Sequence, residues 1–207
     1  MFLAEPAFLL YDEVRELKNY MAVLKAIGAG NHALNEISTH SFLASTAVNA
    51  YLSTLQELRL VERRLPVTVR LGERGRSRSG HYHLSDAYFN FYFHFLAPFQ
   101  DNPLLNAEQI LERVQQDLRA FIGRTAFEDL CRQWVVAQGR NGKLSFTPMA
   151  VGSYWSKRVQ VDVVAIDWDN KKLLLGECKW GMDKIDRQVA RDLIQEKAPK
   201  ILLDLPE

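Results

Sequence analysis

The sequence predicts an α+β chain in two parts: three helices closed by a β-hairpin, then helices around a buried strand pair. Three observations carry this. Apolar residues recur at helical spacing over residues 11–58. Two aliphatic runs, 159–167 and 172–180, flank a polar turn. Between them lies a dense aromatic stretch, residues 86–99, followed by AspAsnPro, which sets the expected boundary at 1–100 and 101–207.

In order, Val14, Leu17, Met21, Leu24 and Ile27 predict a helix over 11–28, ended by Gly28 and Gly30. Leu34, Ile37 and Phe42 suggest a short second helix. Ser45 or Thr46 can cap a third, about 45–57, with the stripe Val48, Tyr51, Leu52, Leu55 and Leu58. Leu65–Val69 reads as a strand, residues 71–80 as a Gly/Ser loop, and His81–Asp86 as the returning strand. These are the parts of a winged helix-turn-helix, which lays its third helix in the major groove and its hairpin on backbone or minor groove. Ser45, Thr46 and Asn49 lie on the polar side of that helix, suited to phosphates or base edges. The alternative is a winged helix that packs only on protein. His81 and His83 share a strand face and read as surface, not as metal ligands.

Charge sharpens the reading. Lys+Arg is 26 and Asp+Glu 25, a net of +1, so a global field that collects nucleic acid is excluded. Locally, residues 59–78 carry seven arginines against two glutamates. Arg63, Arg64, Arg74, Arg76 and Arg78 offer planar forks for phosphates; the plainer alternative is a solvated loop. The aromatic stretch is too dense to be exposed. It predicts a buried helix capped by Asp86, stopped by Pro98, and gluing the two halves together.

In the second half, residues 108–138 are helical in pattern, Gly139, Asn141 and Gly142 break the chain, and Lys143–Thr147 suggests a strand. The apolar strand pair implies a sheet covered by helices on both faces. If Asp169-Asn170 centre the turn, Asp162 stands opposite Glu177 and Gln160 opposite Lys179. The two-residue period then puts Asp162, Glu177 and Lys179 on one face with Val164, Ile166, Leu173 and Leu175. Two carboxylates can hold Mg²⁺ or Mn²⁺ through oxygen, and a lysine can orient a water or neutralise charge on a phosphate. The alternative is an ion pair that merely tolerates burial. Cys178 alternates to the opposite face and reads as packing.

Asp162 followed by Glu177-Cys178-Lys179 resembles the D…ExK signature of PD-(D/E)XK nuclease-like domains, over about 121–200. The resemblance implies an α/β/α restriction-endonuclease-like fold with a mixed sheet. It implies a supporting role for Glu128 on the preceding helix, and polar contacts from Arg187 and Gln188 on the helix after the site. The family's proline before Asp162 is absent, and Val161 stands there. With Ser85, Asp86, Tyr88, Phe89, Phe91 and the GlyGluCysLysTrp strand, the whole resembles the C-terminal half of archaeal-type prokaryotic P-loop ATPases. That implies an ATPase domain N-terminal to this segment, DNA as partner, and a chain that is a piece or a truncated form. No GxxxxGK[ST] is present, so no ATP site is assigned.

The expected function is DNA binding with cation-dependent phosphodiester hydrolysis; the alternative is a non-catalytic DNA-binding or assembly module serving an ATPase. No apolar run reaches the roughly 18 residues of a membrane span, and the N-terminus lacks the basic start and cleavage site of a signal peptide. The two cysteines, Cys131 and Cys178, form no CxxC and suit a reducing cytoplasm. Self-association is left open.

Overall fold

A computed structural model describes residues 6, 10–11, 13–100, 106–181, 186–203 and 205. The AspAsnPro boundary lies outside the described residues. The chain is mixed α+β and divides into two compact units, Met1–Arg64 with Gly80–Gln116, and Leu65–Ser79 with Asp117–Glu207. No helix among the described residues is long and apolar enough to cross a membrane.

The first unit opens with α1 (Leu17–Gly28), which buries Val23, Leu24, Ala26 and Ile27. Its last residue has to be glycine: a Cβ on Gly28 would lie 2.3 Å from the Phe93 Cβ. Helix α2 (Leu34–Ser41) starts where Glu36 turns back to accept from the backbone N–H groups of Ala33 and His32, at 2.9 and 3.1 Å. Helix α3 (Ser45–Glu57) buries Val48, Leu52 and Leu55. Its cap corrects the expectation: the N-cap is Ala44, without a side-chain bond, and the Ser45 hydroxyl donates to Ser38 Oγ at 3.1 Å. Phe42, placed on the second helix's apolar face from its spacing, stands 94% exposed at φ 58° in the α2–α3 turn.

Strands β1 (Val61–Arg64) and β2 (His81–Leu84) pair antiparallel, from Val61 opposite Leu84 to Arg64 opposite His81. The expected strand Leu65–Val69 does not form. Pro66 has no N–H to continue the ladder, and the Val67 N–H donates instead to Ser153 O at 2.9 Å, inside the second unit. The aromatic helix begins at α4 (Ala87–Phe91), with Asp86 accepting from the Phe89 N–H at 3.0 Å as expected of its cap. Phe89, Tyr92 and Phe93 enter the first unit's core with Leu24, Ile37, Leu52 and Leu55. Pro98 does not stop the helix. A π-helical turn, Tyr92–Leu96, widens it so that the Ala97 N–H donates to Tyr92 O, and α5 (Ala97–Gln100) carries the proline within it. The wider turn relieves the clash a proline ring makes with the carbonyl four residues back.

Helix α6 (Ala107–Ile122) leads through a second π-turn, Gly123–Phe127, into α7 (Glu128–Arg140). Gly142, at φ 66°, lets the chain leave α7. The strand expected at Lys143–Thr147 is absent; the first strand of this unit is β3 (Ala150–Trp155), followed by β4 (Gln160–Asp167) and β5 (Lys172–Gly176). They order β3-β4-β5. Among the described residues every pairing is antiparallel, where a mixed sheet was expected. Pairs run from Asp167 opposite Lys172 to Val163 opposite Gly176, the register read from the sequence. The connection is nonetheless a four-residue turn, with Lys171 at φ 53° and Asp167 accepting from Asn170.

Helical layers cover both faces. Val163 and Ala165 pack with Val135 and Cys131 of α7. Val161, Val164 and Ile166 pack with Leu193, Ile201 and Val67. The second of these layers comprises α8 (Arg187–Asp192), a π-turn Leu193–Lys197, and α9 (Ala198–Leu203). Here too the π-turn precedes an Ala-Pro, and the Ala198 N–H donates to Leu193 O.

Candidate functional site

The site grows from an irregularity in β4. Gly152 pairs with Val164, and Tyr154 with Val161. Two steps along β3 thus match three along β4, a bulge at Asp162–Val163 that puts Val161 and Val164 on one face. A bulge re-aims the side chain it carries. In the β4–β5 register Asp162 comes next opposite Glu177, one step past the last bonded pair. There the chain leaves the ladder, and Asp162 Oδ2 accepts from the Cys178 N–H at 2.9 Å. The carboxylate closes the ladder in place of a backbone carbonyl.

Glu128 opens α7 directly after the one π-turn of this unit that no proline follows. Arg132, one turn on, ties it to Asp162: its Nη1 donates to the Asp162 carbonyl at 2.9 Å and lies 3.5 Å from Glu128 Oε2. Its Nη2 is bonded to Asp129. Even so, Glu128 is strongly perturbed. Burial, then the negative charge of Asp162, raises its pKa from 4.5 to about 7, against the opposing pull of Arg132. Burial and like charge both favour the protonated acid.

Glu177 goes elsewhere. Its Oε1 receives Lys197 Nζ at 2.6 Å, and the same ammonium donates to Gln160 O at 2.8 Å. Glu177 is 11% exposed and Lys197 27%, so the pair is largely shielded from water. Lys197 ends the π-turn Leu193–Lys197. Lys179, which the sequence assigned to this role, lies exposed beyond β5. Cys178 faces the opposite layer, as expected, where it packs beside Cys131; both thiols are free, and burial pushes the Cys178 thiol up. Arg132 and Lys197 are the residues the sequence reading missed. Arg132 had a signal, an i,i+4 partner of Glu128 on one helix face; Lys197 had none at short range.

Among the described residues no three His, Cys, Asp or Glu side chains are disposed to hold a metal ion. Mg²⁺ rarely needs three: one or two carboxylates, waters and a substrate phosphate usually complete its shell. Glu128 and Asp162 are a donor set of that kind.

The remaining sequence-assigned residues scatter. Arg187 opens α8 and is exposed; Gln188 beside it gives its amide to Asp192 Oδ1 at 2.7 Å. In the first unit Ser45, Thr46 and Asn49 are exposed on α3. Arg64 is paired with Glu62, and the Arg63 guanidinium packs over Gly80. Arg74, Arg76 and Arg78 are exposed on a loop of the second unit. His81 and His83 gain a third ring, His32, which stacks on His83 at 4.1 Å and whose Nδ1 donates to Tyr82 O at 2.9 Å.

Residues 92–192 match the DUF234 family, described as archaeal and bacterial proteins of unknown function. The chain is also similar to an uncharacterized protein of Methanocaldococcus jannaschii, 29% identical over 196 residues. That match takes in 93% of this chain but 43% of the relative, so the chain spans less than half of that protein's length. No solved structure matches it.

Proposed function

We propose that the second unit is a divalent-cation-dependent phosphodiester hydrolase acting on DNA. We read the three helices and hairpin of the first unit as a winged helix-turn-helix, and the sheet between helical layers as a nuclease-like domain. In the full-length protein an ATPase domain would accompany them. The observation that carries the reading is the buried Glu128 carboxyl, raised further by the charge of Asp162, with Arg132 bridging Glu128 to the Asp162 backbone carbonyl. A fold gains nothing from such a pair, whereas a divalent cation relieves it.

In this reading Asp162, fixed by the Cys178 N–H, would hold the ion, and Glu128 the water attached to it. The Glu128 carboxylate would accept the proton of an attacking water as general base. Lys197, not Lys179, supplies the positive charge that faces the phosphate oxygens. Glu177 and Gln160 O position its ammonium. The bound cation itself supplies charge neutralisation and a lowered pKa for the water.

The test is nicking of supercoiled plasmid with Mg²⁺ or Mn²⁺. Asp162→Asn and Lys197→Met should each lose about 100-fold or more in rate, the usual scale for removing one electrostatic contributor; Lys179→Met should keep most of it. Equal nicking by Asp162→Asn and wild type overturns the reading. The closed Lys197–Glu177 pair favours a second reading, a non-catalytic DNA-binding module; DNA binding with no nicking by wild type would select it.

A further inference from the structure

The loop that carries the arginines connects β1 to β2, yet it packs in the second unit. Residues 65–79 leave β1 and pack as part of the second unit, returning at Gly80. Both feet of the loop rest on β3. At one end the Val67 N–H donates to Ser153 O at 2.9 Å, and Val67 is buried with Tyr154, Val161 and Ile166. At the other end Trp155 Nε1 donates to Ser79 O at 3.0 Å. Between the feet, the Arg70 guanidinium lies 5.4 Å over the Trp168 ring. Ser153 is the β3 residue facing the bulge that carries Asp162. The loop is therefore rooted on β3, with Val67 on the sheet face that Leu193 and Ile201 also cover.

The loop is also built rather than slack. Leu71–Glu73 forms a 3₁₀ turn. The N–H groups of Arg76 and Ser77 both donate to Glu73 O, at 3.0 and 3.1 Å, and the Ser77 and Ser79 hydroxyls meet at 2.7 Å. Arg74, Arg76 and Arg78 stand exposed on it, against the single acid Glu73. Every cation there is a guanidinium, the group whose fork matches a phosphodiester oxygen pair. An ordered loop presents its charges with less ordering cost on binding.

We propose that Arg74, Arg76 and Arg78 form a backbone-gripping arm of the second unit that binds the sugar-phosphate chain of DNA. Naming this DNA as the substrate rests on the hydrolase reading above; the arm itself does not. Beyond its chain connections, its feet are held by β3.

The test is fluorescence anisotropy of a labelled 20-bp DNA duplex with the full chain in EDTA, so that no cleavage occurs, titrated between 50 and 200 mM salt. The triple variant Arg74→Ala/Arg76→Ala/Arg78→Ala should bind about 10-fold or more weakly, with a salt slope shallower by about 3, one for each phosphate no longer gripped. Trp155→Phe keeps all three arginines and removes the Ser79 anchor; it should weaken binding about 2- to 5-fold, the usual worth of one hydrogen bond. Thermal melts of each variant separate these losses from unfolding. Unchanged binding by the triple variant overturns the arm. So does weakening by the triple variant with no effect of Trp155→Phe, which would mean that β3 does not set the loop. The two readings fail separately. Arm variants that lose binding while wild type never nicks leave the arm and remove the hydrolase; nicking by wild type with arm variants that bind normally does the reverse.

Discussion

Two glutamates of the first unit behave in the opposite way to Glu128 of the second. In the first unit, Glu36 accepts from two backbone N–H groups at the start of α2, and Glu16 accepts from Tyr51 and Asn19; these bonds hold both acids below their ordinary pKa. In the second, burial and the charge of Asp162 push Glu128 up to about 7. The first pair of acids supports its fold in the ionised form, and Glu128 burdens its own. A residue kept where it costs stability marks a site selected for something else.

The contrast gives opposite pH slopes. Folding lowers the pKa of Glu36, so its contribution is present above about 4.5 and fades as the pH falls through the folded value. Folding raises the pKa of Glu128, so between about 4.5 and 7 the folded chain keeps a proton that the unfolded chain has released. Stability therefore declines as the pH rises through that window, by an amount on the order of 3 kcal/mol if the whole shift is realised.

Several substitutions sharpen or break this comparison. The largest effect belongs to packing in the first unit. Gly28→Ala sets a methyl 2.3 Å from Phe93 Cβ, backbone against backbone, and should cost about 3 kcal/mol in urea unfolding, at the upper end for overpacked cores. Next, Glu128→Gln should stabilise the chain by about 1–3 kcal/mol at pH 8 and flatten the decline between pH 4.5 and 7, while abolishing nicking. A destabilised Glu128→Gln would break the contrast. Asp162→Asn removes the second-largest cause and should lower the Glu128 pKa, seen as a smaller decline that ends at a lower pH, with its onset near 4.5 unchanged. The smallest effect is Glu36→Ala, about 0.5–1 kcal/mol at pH 7 and vanishing near pH 3, as expected for loss of half a capping box.

What could be read beforehand follows the range of the interactions concerned. Helices α1 and α3, the Asp86 cap and the β4–β5 register all answer to residues a few positions apart, and the sequence displays them. The bulge at Asp162 does not, because it depends on β3, whose residues 150–155 carry no alternating pattern that marks a strand. Lys197 reaches Glu177 across 20 residues, and Val67 reaches Ser153 across a longer span still, so neither contact leaves a periodic trace. Lys179 was the natural choice because it lies two positions after Glu177, on the same face of an extended strand. The strand ends at Gly176, and the alternation that would have aimed Lys179 ends with it. Pro98 misled for a related reason, since a π-turn lets a helix carry a proline that spacing alone reads as its end.

The central claim is that Glu128 and Asp162 share a place made for a divalent cation. The most direct measurement is the Glu128 carboxyl titration by ¹³C NMR, without and with Mg²⁺. The account predicts an apparent pKa of about 7 without the ion, falling by a unit or more when it is added, and no such fall in Asp162→Asn. A Glu128 titration that Mg²⁺ leaves unmoved would contradict it.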